Sequence, residues 1–264
     1  MDADIEHTAL IGEDGRTWVI PLVDEEIKEK GVGRFVPNEV LADTSIGDRL
    51  TIGTKVFTRA HVALPELRRG MVRRAQIINP KDAGLLIAWM GIGVGQKVLE
   101  TGHGSAGLAM HLANVMGNSG TLISVENRPE HAEVGRKNMD RAKGSLPEFP
   151  DWHLILGDVT KSETVEAVAT VADPLDAIIL DLPEPWDAIP GVAPLLRRGG
   201  RLACYCPVSS QLDRAWEAVE AAGLEVDWAG ELMERLWKRA SRGGVRPGNT
   251  PMGHTAFLLM AHRP

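Results

Sequence analysis

The chain contains 264 residues, 44% of them hydrophobic and 25% charged, and its formal net charge is −7 at pH 7. This balance is typical of a folded globular protein and excludes a fibrous or intrinsically disordered chain. The acidic total also argues against indiscriminate nucleic-acid binding, although a specific site needs only local positive charge.

Residues 1–65 are predicted to form a small β-rich domain. Short runs of alternating hydrophobic and polar residues occur at residues 17–20, 49–52 and 55–57, and glycine-containing turns separate them. This pattern is typical of short antiparallel strands joined by tight turns.

Residues 66–95 are predicted to link this domain to the rest of the chain. A basic connector at residues 64–74 comes first. A helix is expected at residues 80–90, because Asn79 is a suitable N-cap, Pro80 suits the first helical position and Asp82 lies in the first turn.

Residues 96–264 are predicted to form an α/β domain with a mostly parallel sheet, because strand and helix patterns alternate there. The predicted strands are residues 97–101, 121–126, 153–156, 177–180, 200–206, 223–228 and 255–261. The predicted helices are residues 105–115, 129–143, 162–171, 186–196 and 210–222. Ligands of such sheets bind beyond the carboxyl ends of the strands.

The apolar stretches, such as residues 84–94, are shorter than the roughly 20 residues that span a bilayer, so we expect a cytoplasmic protein without a membrane span. Cys204 and Cys206 lie two residues apart in a predicted strand and therefore on one face. Two buried, reduced thiols are expected. An intersubunit disulfide stays an alternative, and no metal site is expected.

Two groups of basic residues interrupt the acidic chain. The first consists of Arg68, Arg69, Arg73 and Arg74, and the second of Arg235, Lys238, Arg239, Arg242 and Arg246. Charged runs are most often solvated faces, so composition leaves open whether either group contacts a polyanion.

A glycine loop follows the first strand of the α/β domain. Gly102, Gly104 and Gly107 have the spacing that allows a tight turn and the close approach of a ligand to the backbone. The same spacing serves nicotinamide or flavin dinucleotides, S-adenosylmethionine and purely structural turns. The loop therefore locates a ligand site without identifying the ligand.

Acidic residues follow three successive strands. Glu126 can accept both hydroxyls of a ribose, and Asp158 can accept the exocyclic amine of adenine while Val159 packs beside the ring. Asp181 begins a proline-rich loop that also contains Trp186. Each acid alone could instead cap the next helix. Their repetition at strand ends favours a nucleoside-containing cofactor.

At this point the sequence resembles the tRNA adenine-N1 methyltransferases of the bacterial and archaeal TrmI type. The resemblance spans most of the chain and rests on residues 73–83 (RRAQIINPKDA), 98–105 (VLETGHGS), 126–129 (ENRP), 181–183 (DLP) and 205–207 (YCP), with Gln211 and with His254-Thr255. The RRxQI segment with PKD, joined to DLP, is its most specific part.

The resemblance implies a class I, Rossmann-like methyltransferase domain of seven strands, a homotetramer, and S-adenosylmethionine as the methyl donor. It also implies that N1 of an adenine in the T-loop of tRNA is methylated, at position 58 and possibly also 57. Asp181 would be the catalytic residue. The implied cofactor-binding residues are Gln76, Gly102, Gly104, Ser105, Ala106, Gly107, Leu108, Glu126, His131, Asp158, Val159 and Asp181.

The candidate tRNA-contacting residues are Arg73, Arg74, Asn79, Trp186, Tyr205, Arg246 and His254. Trp186 and Tyr205 are candidates to hold the extruded base. The chain departs from the family pattern at His103, at Ala106 in place of a common glycine, at Asn79 near the target base, and at Ala256 after His254-Thr255.

Three alternative functions share some of these features. A methyltransferase for small molecules or protein carboxylates would share the glycine loop, Glu126 and Asp158, without needing the Arg73-Arg74 pair. A nicotinamide-dependent oxidoreductase leaves Asp158 and Asp181 unexplained. A catalytically silent tRNA-binding subunit is disfavoured by the intact cofactor loop.

Overall fold

The computed structural model describes residues 6–264. The chain begins with an antiparallel sheet of four strands in the order β2-β1-β6-β5. These strands are β1 (His7–Gly12), β2 (Thr17–Pro21), β5 (Arg49–Ile52) and β6 (Lys55–Ala60), and a short hairpin of β3 (Ile27–Glu29) and β4 (Gly33–Phe35) and the short helix α1 (Pro37–Leu41) lie between them. Leu10, Ile20 and Phe57 form the centre of a separate small core. The predicted β-rich N-terminal unit is confirmed.

The predicted basic connector is mostly helical. Helix α2 (Leu64–Gly70) packs against the N-terminal sheet through Leu67, which is buried beside Val19. The Glu66 carboxylate accepts the Ala63 N–H at 3.3 Å and caps the helix. This helix was not predicted, because basic residues dominate the segment and its apolar positions are few. The domain boundaries at residues 65 and 95 stay predictions.

Helix α3 (Pro80–Met90) has the predicted bounds, with Pro80 in the first turn. Asn79 occupies the N-cap position but makes no side-chain capping bond, which corrects the predicted role of that side chain.

The second part of the chain contains a seven-stranded sheet in the order β12-β15-β11-β10-β7-β8-β9. Only β15 runs antiparallel to its neighbours. The strands are β7 (Lys97–Thr101), β8 (Thr121–Glu126), β9 (Asp151–Leu156), β10 (Leu175–Leu180), β11 (Leu196–Cys206), β12 (Glu225–Gly230) and β15 (Phe257–His262). The helices are α4 (Gly107–Met116), α5 (Pro129–Lys143), α6 (Ser162–Val171), α7 (Pro185–Val192) and α8 (Ser209–Ala221). The mostly parallel α/β sheet is therefore confirmed.

Several predicted boundaries move. The helix expected at residue 105 begins at Gly107, because Ala106 adopts a left-handed conformation with φ of 63°. The helix expected at residues 186–196 ends at Val192, since β11 already begins at Leu196, which pairs with Leu175. A hairpin of β13 (Trp237–Arg239) and β14 (Val245–Pro247) lies between β12 and β15 and was not predicted.

Two hydrophobic cores cover the two faces of the large sheet. Cys204 and Cys206 lie in the same core, and both are buried free thiols, as predicted. Burial, followed by the charge of Asp181, raises the pKa of Cys206 to about 12. The thiol therefore stays protonated and unreactive at neutral pH.

Candidate active site

The glycine loop forms a tight turn at the carboxyl end of β7. Gly102 has φ of 77°, and a Cβ added there would lie 2.1 Å from the carbonyl oxygen of Asp181. The N–H groups of Gly102 and His103 both donate to the carbonyl oxygen of Val125, at 3.0 and 3.2 Å. The loop is thus held between the ends of β8 and β10, and only glycine fits at position 102.

Ala106 is the one non-glycine residue with positive φ among residues 6–264. A left-handed alanine costs about 1–2 kcal/mol relative to a helical conformation. Its methyl group is buried in the core beside Leu108. The residue therefore shapes the entry into α4, where the first backbone N–H groups have no acceptor inside the helix and can bind an anion.

Ser105 fastens the preceding segment to this loop. Its hydroxyl oxygen accepts the N–H groups of Arg74 and Ala75, each at 3.0 Å, and its carbonyl oxygen accepts a bond from the Asn138 side chain at 3.0 Å. Asn138 also holds both backbone groups of Val72. Because the Ser105 side chain is buried and hydrogen-bonded to the backbone in this way, its role here is structural, whereas the sequence predicts a cofactor contact for it. The role of Asn138 was not predicted.

A buried polar network lies below the loop. Glu100 accepts hydrogen bonds from His103 Nδ1 at 2.8 Å and from the Ser124 hydroxyl at 2.7 Å. Gly135 leaves room for this imidazole, since a Cβ there would lie 2.3 Å from His103 Nε2. His103, a departure from the family pattern, is therefore a buried support of the loop.

Glu126 lies at the carboxyl end of β8 and is 2% exposed. Its carboxylate accepts the Gly104 N–H at 2.8 Å and two bonds from Arg128, through the backbone N–H at 3.0 Å and Nε at 3.1 Å. Burial alone would raise the pKa of Glu126, but these hydrogen bonds outweigh burial and lower it below its ordinary value. Glu126 is thus a charged acceptor at neutral pH.

Asp158 follows β9 and is half-buried. Its Oδ1 accepts the N–H of Thr160 at 2.9 Å and the Thr160 hydroxyl at 2.8 Å, and these bonds lower the pKa of Asp158. Asp158 therefore makes a local turn, which is the alternative role that its position in the sequence left open. Oδ2 accepts no hydrogen bond from residues 6–264, which leaves it for a ligand beside buried Val159.

Asp181 follows β10 and is half-buried. Its backbone N–H donates to the Thr101 carbonyl oxygen at 3.2 Å, whereas its carboxylate has no hydrogen-bond partner in the described part of the chain. Desolvation, followed by the charges of Glu100 and Glu126, raises the pKa of Asp181 to about 7. Such an unpaired, perturbed carboxylate in a cleft is typical of a functional group.

Two adjoining cavities meet at Thr101, Gly102 and Asp181, and together they form the cleft. The first has a volume of about 200 Å³ and is lined by Thr101, Gly102, Val125, Glu126, Asn127, Arg128, Gly157, Asp158, Val159, Asp181, Leu182 and Pro183. The second is lined by Gln76, Ile77, Ile78, Glu100, Thr101, Gly102, His103, Gly107, Leu108 and Asp181. The cleft lies at the carboxyl ends of the central strands, as predicted.

This donor set fits S-adenosylmethionine. The first cavity offers apolar walls at Val125, Val159 and Leu182 for an adenine ring, with Glu126 in reach of a ribose. The second reaches the N-terminal end of α4 at Leu108, where free backbone N–H groups suit a carboxylate.

His131 is not brought to the cleft. It lies in the first turn of α5, half-buried, and lines neither cavity. Its place five residues after Glu126 carries it past the strand end onto the helix. The prediction that it binds the cofactor therefore has no geometric support.

The predicted tRNA-contacting residues lie in several separate parts of the structure. Arg73 and Arg74 are exposed, and Asn79 lies at the start of α3, next to Ile78 of the second cavity. Arg246 is exposed on β14. His254 is exposed, but its Nδ1 bonds Glu231 at 2.8 Å and its Nε2 bonds the Pro207 carbonyl oxygen at 2.7 Å. The bond to Pro207, then that to Glu231, raises the pKa of His254.

The structure corrects the prediction that Tyr205 holds the extruded base. This residue is 6% exposed and packs in the core, with its hydroxyl 3.5 Å from Asp82 Oδ2, so its ring offers no surface for a base. Trp186 is half-buried, and the Arg214 guanidinium lies 3.7 Å from its ring centroid. One ring face is therefore already covered by Arg214, a residue that sequence reasoning missed.

A buried ion pair fixes the start of α3 to the segments that follow β12 and precede β15. Lys81 Nζ donates to Asp82 at 2.6 Å, to the Leu232 carbonyl oxygen at 2.7 Å and to the Thr255 hydroxyl at 2.7 Å. The Thr255 hydroxyl donates to Asp82 Oδ2 at 2.7 Å. The Pro-Lys-Asp motif therefore holds the segment that carries Gln76. The motif was visible in the sequence, but its partners lie more than 150 residues away.

Comparison with known proteins agrees with this geometry. Residues 61–242 match the model of the family described as tRNA methyltransferase complex GCD14 subunit. The chain is 32% identical to the tRNA (adenine(57)-N(1)/adenine(58)-N(1))-methyltransferase TrmI of Methanocaldococcus jannaschii, over 75% of this chain and 76% of that protein. It is 31% identical to the tRNA (adenine(58)-N(1))-methyltransferase TrmI of Thermus thermophilus, over 86% of each.

Solved structures identify the fold. A SAM-dependent O-methyltransferase from Thermotoga maritima aligns with a TM-score of 0.76 at 23% identity, covering 99% of this chain and 94% of that one. The tRNA (m1A58) methyltransferase TrmI from Aquifex aeolicus aligns with a TM-score of 0.68 at 21% identity, covering 98% and 97%. The fold is that of the class I S-adenosylmethionine-dependent methyltransferases, and with more than half of its length matching the family model, the chain belongs to the GCD14 family of tRNA methyltransferase subunits.

Proposed function

We propose that this protein is an S-adenosylmethionine-dependent tRNA methyltransferase that methylates N1 of adenine 58 in the T-loop. The observation that carries the proposal is the unpaired Asp181 carboxylate at the junction of the two cavities. Membership in a family whose relatives are named for this reaction supports the same conclusion. Position 57 is a second candidate target, since the archaeal relative is named for both adenines.

The proposed cofactor contacts divide between the two cavities. In the first, Glu126 would bind the ribose hydroxyls, and Asp158 and Val159 would hold the adenine ring. In the second, Gln76 and the start of α4 at Gly107 and Leu108 would hold the amino-acid portion. Gly102 and Gly104 keep the loop close enough for these contacts. When bound, S-adenosylmethionine supplies an electrophilic methyl group on a positively charged sulfur.

The residues of the chain then have two tasks. Adenine N1 already has a lone pair, so the site must align the base rather than remove a proton from it. The base gains positive charge as N1 is methylated, and a carboxylate at its edge is complementary to that charge. Asp181 would accept a hydrogen bond from the N6 amine and stabilise the cationic product. Asn79, beside the second cavity, would contribute to the choice of adenine.

Incubation of the protein with labelled S-adenosylmethionine and an unmodified tRNA transcript tests this function. We expect label in tRNA, with 1-methyladenosine at position 58 after nuclease mapping by mass spectrometry. A transcript with A58 replaced by G serves as the matched control and should lose the main signal. Label in a metabolite or in protein, with none in tRNA, would instead support the small-molecule or carboxylate methyltransferase. Binding of tRNA without any transfer would support the silent subunit.

We also propose a homotetramer, and the hairpin of β13 and β14 supports it. Met233, Leu236, Trp237, Val245 and Met252, in and around this hairpin, are all strongly exposed, with Trp237 65% and Val245 67% exposed. Several exposed apolar residues grouped in one segment are typical of a protein interface.

A double substitution, Leu236→Ser with Trp237→Ser, tests this arrangement. We expect a tetrameric mass by light scattering for the wild-type protein and a smaller assembly for the variant, because the apolar contact is lost. Val94→Ser is the control, since Val94 is 72% exposed and belongs to the loop between α3 and β7 rather than to the hairpin. A wild-type monomer, or a variant that stays tetrameric, would argue against this interface.

The remaining parts of the proposal concern location and metals. Within residues 6–264, each helix is too short or too polar to span a lipid bilayer. A cytoplasmic location is proposed from the buried free thiols Cys204 and Cys206, which suit a reducing compartment. A metal-independent reaction is proposed because methyl transfer from a sulfonium to N1 needs alignment and charge complementarity rather than a Lewis acid.

A further inference from the structure

A groove with cationic side chains lies on the N-terminal sheet, separate from the acidic cofactor cleft. Its volume is about 470 Å³, and it is lined by Arg16, Thr17, Trp18, Lys30, Gly31 and Arg69, together with Gly15. It lies where β2 and the β3–β4 turn meet the last turn of α2. None of these residues lines the cofactor cleft or belongs to the hairpin of β13 and β14.

Trp18 gives the groove a rigid wall. Its Nε1 donates to the Lys30 carbonyl oxygen at 2.9 Å, and its ring packs edge-on against Phe57 with centroids 5.5 Å apart. A Cβ added at Gly31 would lie 3.0 Å from the ring, so this glycine allows the close approach. The indole is fixed on one side and only half-buried, which leaves part of it open to the groove.

The charged side chains of the groove are cationic. Arg16, Lys30 and Arg69 are all exposed. Arg16 has an exposed ion pair with Asp14 at 3.3 Å, which contributes little to stability. Arg69 is exposed and lies 3.7 Å from Glu66, whose side chain is only 17% exposed. Lys30 has no acidic partner within residues 6–264.

The positive charge continues from the groove toward the cleft. Arg68 and Arg73 form no ion pair or hydrogen bond through their side chains within the described residues. Arg68 is half-buried, and burial, followed by the charges of Arg69 and Arg73, lowers its pKa. Arg68 and Arg73 therefore add positive charge that no ion pair within the described residues offsets, whereas Arg69 pairs with Glu66. The chain then passes through Arg74, which is fastened to Ser105 of the glycine loop, to Gln76 of the second cavity.

We propose that this basic strip, from Lys30 and Arg16 through Arg69 and Arg68 to Arg73, binds the phosphate backbone of tRNA away from the target adenine. The proposal rests on the proposed function, because it assumes that the polyanion is the substrate whose base reaches Asp181. RNA is favoured over a second copy of this chain because the cores of protein interfaces are depleted of charged residues, whereas nucleic-acid binding relies on Lys and Arg contacts to phosphates. Backbone contacts of this kind fix the register of a nucleic acid without reading its sequence.

The test is a charge reversal in the groove, Lys30→Glu with Arg69→Glu. The matched control is Lys97→Glu with Arg198→Glu, which changes the net charge equally. Both control residues are exposed near the amino-terminal ends of β7 and β11, on the edge of the sheet opposite the cleft. Binding of unmodified tRNA is measured by fluorescence anisotropy at several salt concentrations, and binding of S-adenosylmethionine by calorimetry.

We expect the groove variant to bind tRNA at least tenfold more weakly than the wild-type protein, with the slope of log K against log salt reduced by about 2. Its affinity for S-adenosylmethionine should be unchanged, which also shows that it is folded, and the control variant should behave as wild type. Equal weakening in both variants, or unchanged tRNA binding in the groove variant, would overturn the proposal. So would loss of oligomeric assembly with tRNA affinity intact, which would identify the groove as a subunit contact.

These results are distinguishable from a failure of the proposed function. If the wild-type protein binds tRNA and methylates it while the groove variant binds equally well, only the groove is rejected. If the wild-type protein neither binds nor methylates tRNA, the proposed function is rejected and the groove with it.

Discussion

Replacing Asp181 by asparagine is expected to slow methyl transfer to tRNA by about 10²–10³-fold, the usual cost of losing one preorganised electrostatic contact to a transition state. Asparagine keeps the size of the side chain but cannot supply the negative charge that the methylated base requires. The binding of S-adenosylmethionine should change much less, because Glu126 and Asp158 remain. Single-turnover rates at saturating cofactor, with cofactor affinity measured in parallel, separate these effects. Undiminished rates would remove Asp181 from the mechanism.

The pH dependence provides a second readout of the same residue. With a pKa raised to about 7, Asp181 of the free enzyme loses its charge as the pH falls below neutrality. The value of kcat/KM should therefore rise with pH through an apparent pKa near 7 and then level off. In Asp181→Asn this inflection should be absent. A wild-type profile that is flat between pH 6 and 8 would contradict the assignment.

As the pH rises, the contribution of Asp181 to the free energy of unfolding should fall, whereas the enzymatic activity should rise. Because the folded-state pKa of Asp181 lies above its unfolded value of 3.8, the folded protein holds this proton more tightly, and the residue's contribution to stability falls as pH rises from about 4 to about 7. Above pH 7 the buried charge is a cost, at most about 4 kcal/mol for a shift of this size. Asp181→Asn should therefore unfold at a higher temperature than wild type at pH 8. A lower melting temperature would contradict this prediction.

Replacing Glu126 by glutamine is expected to weaken the binding of S-adenosylmethionine by about 100-fold, since a hydrogen bond to a charged group contributes about 1.5–3 kcal/mol. The carboxylate serves the proposed ribose contact and also accepts the Gly104 N–H and two bonds from Arg128. A neutral amide cannot accept all of them, so the glycine loop should loosen as well. Calorimetry with S-adenosylmethionine and with its demethylated product measures the loss.

The substitution Asp158→Asn is the matched control for Glu126→Gln. Asp158 already uses Oδ1 in the turn with Thr160, so only one oxygen is left for the ligand. We expect a smaller loss of affinity than for Glu126→Gln, with tRNA binding unchanged in both variants. Equal affinity in the Glu126 variant and the wild-type protein would show that the ligand does not use this strand end.

Much of the architecture could be predicted because its signals are local. The alternation of strands and helices after residue 96 reflects side-chain periodicity, and Pro80 and Gly91 mark the ends of α3 through their own backbone preferences. The positions of Glu126, Asp158 and Asp181 after successive strands were also readable, since parallel strands bring their carboxyl ends to one edge. The sequence therefore determined the fold class and the edge of the sheet where ligands bind.

Other properties were decided only by the tertiary structure, because they depend on residues that are far apart in the sequence and close in space. Tyr205 also lies near the carboxyl end of a strand, as the candidate acids do, yet it packs into the core near Asp82 and so is not available in the site. The raised pKa of Asp181 arises from burial and from Glu100 and Glu126, which are 81 and 55 positions away in the chain. The basic groove beside Trp18 likewise exists only because α2 folds onto the N-terminal sheet. Burial and electrostatic energy depend on distances in space, and spacing along the chain does not specify them.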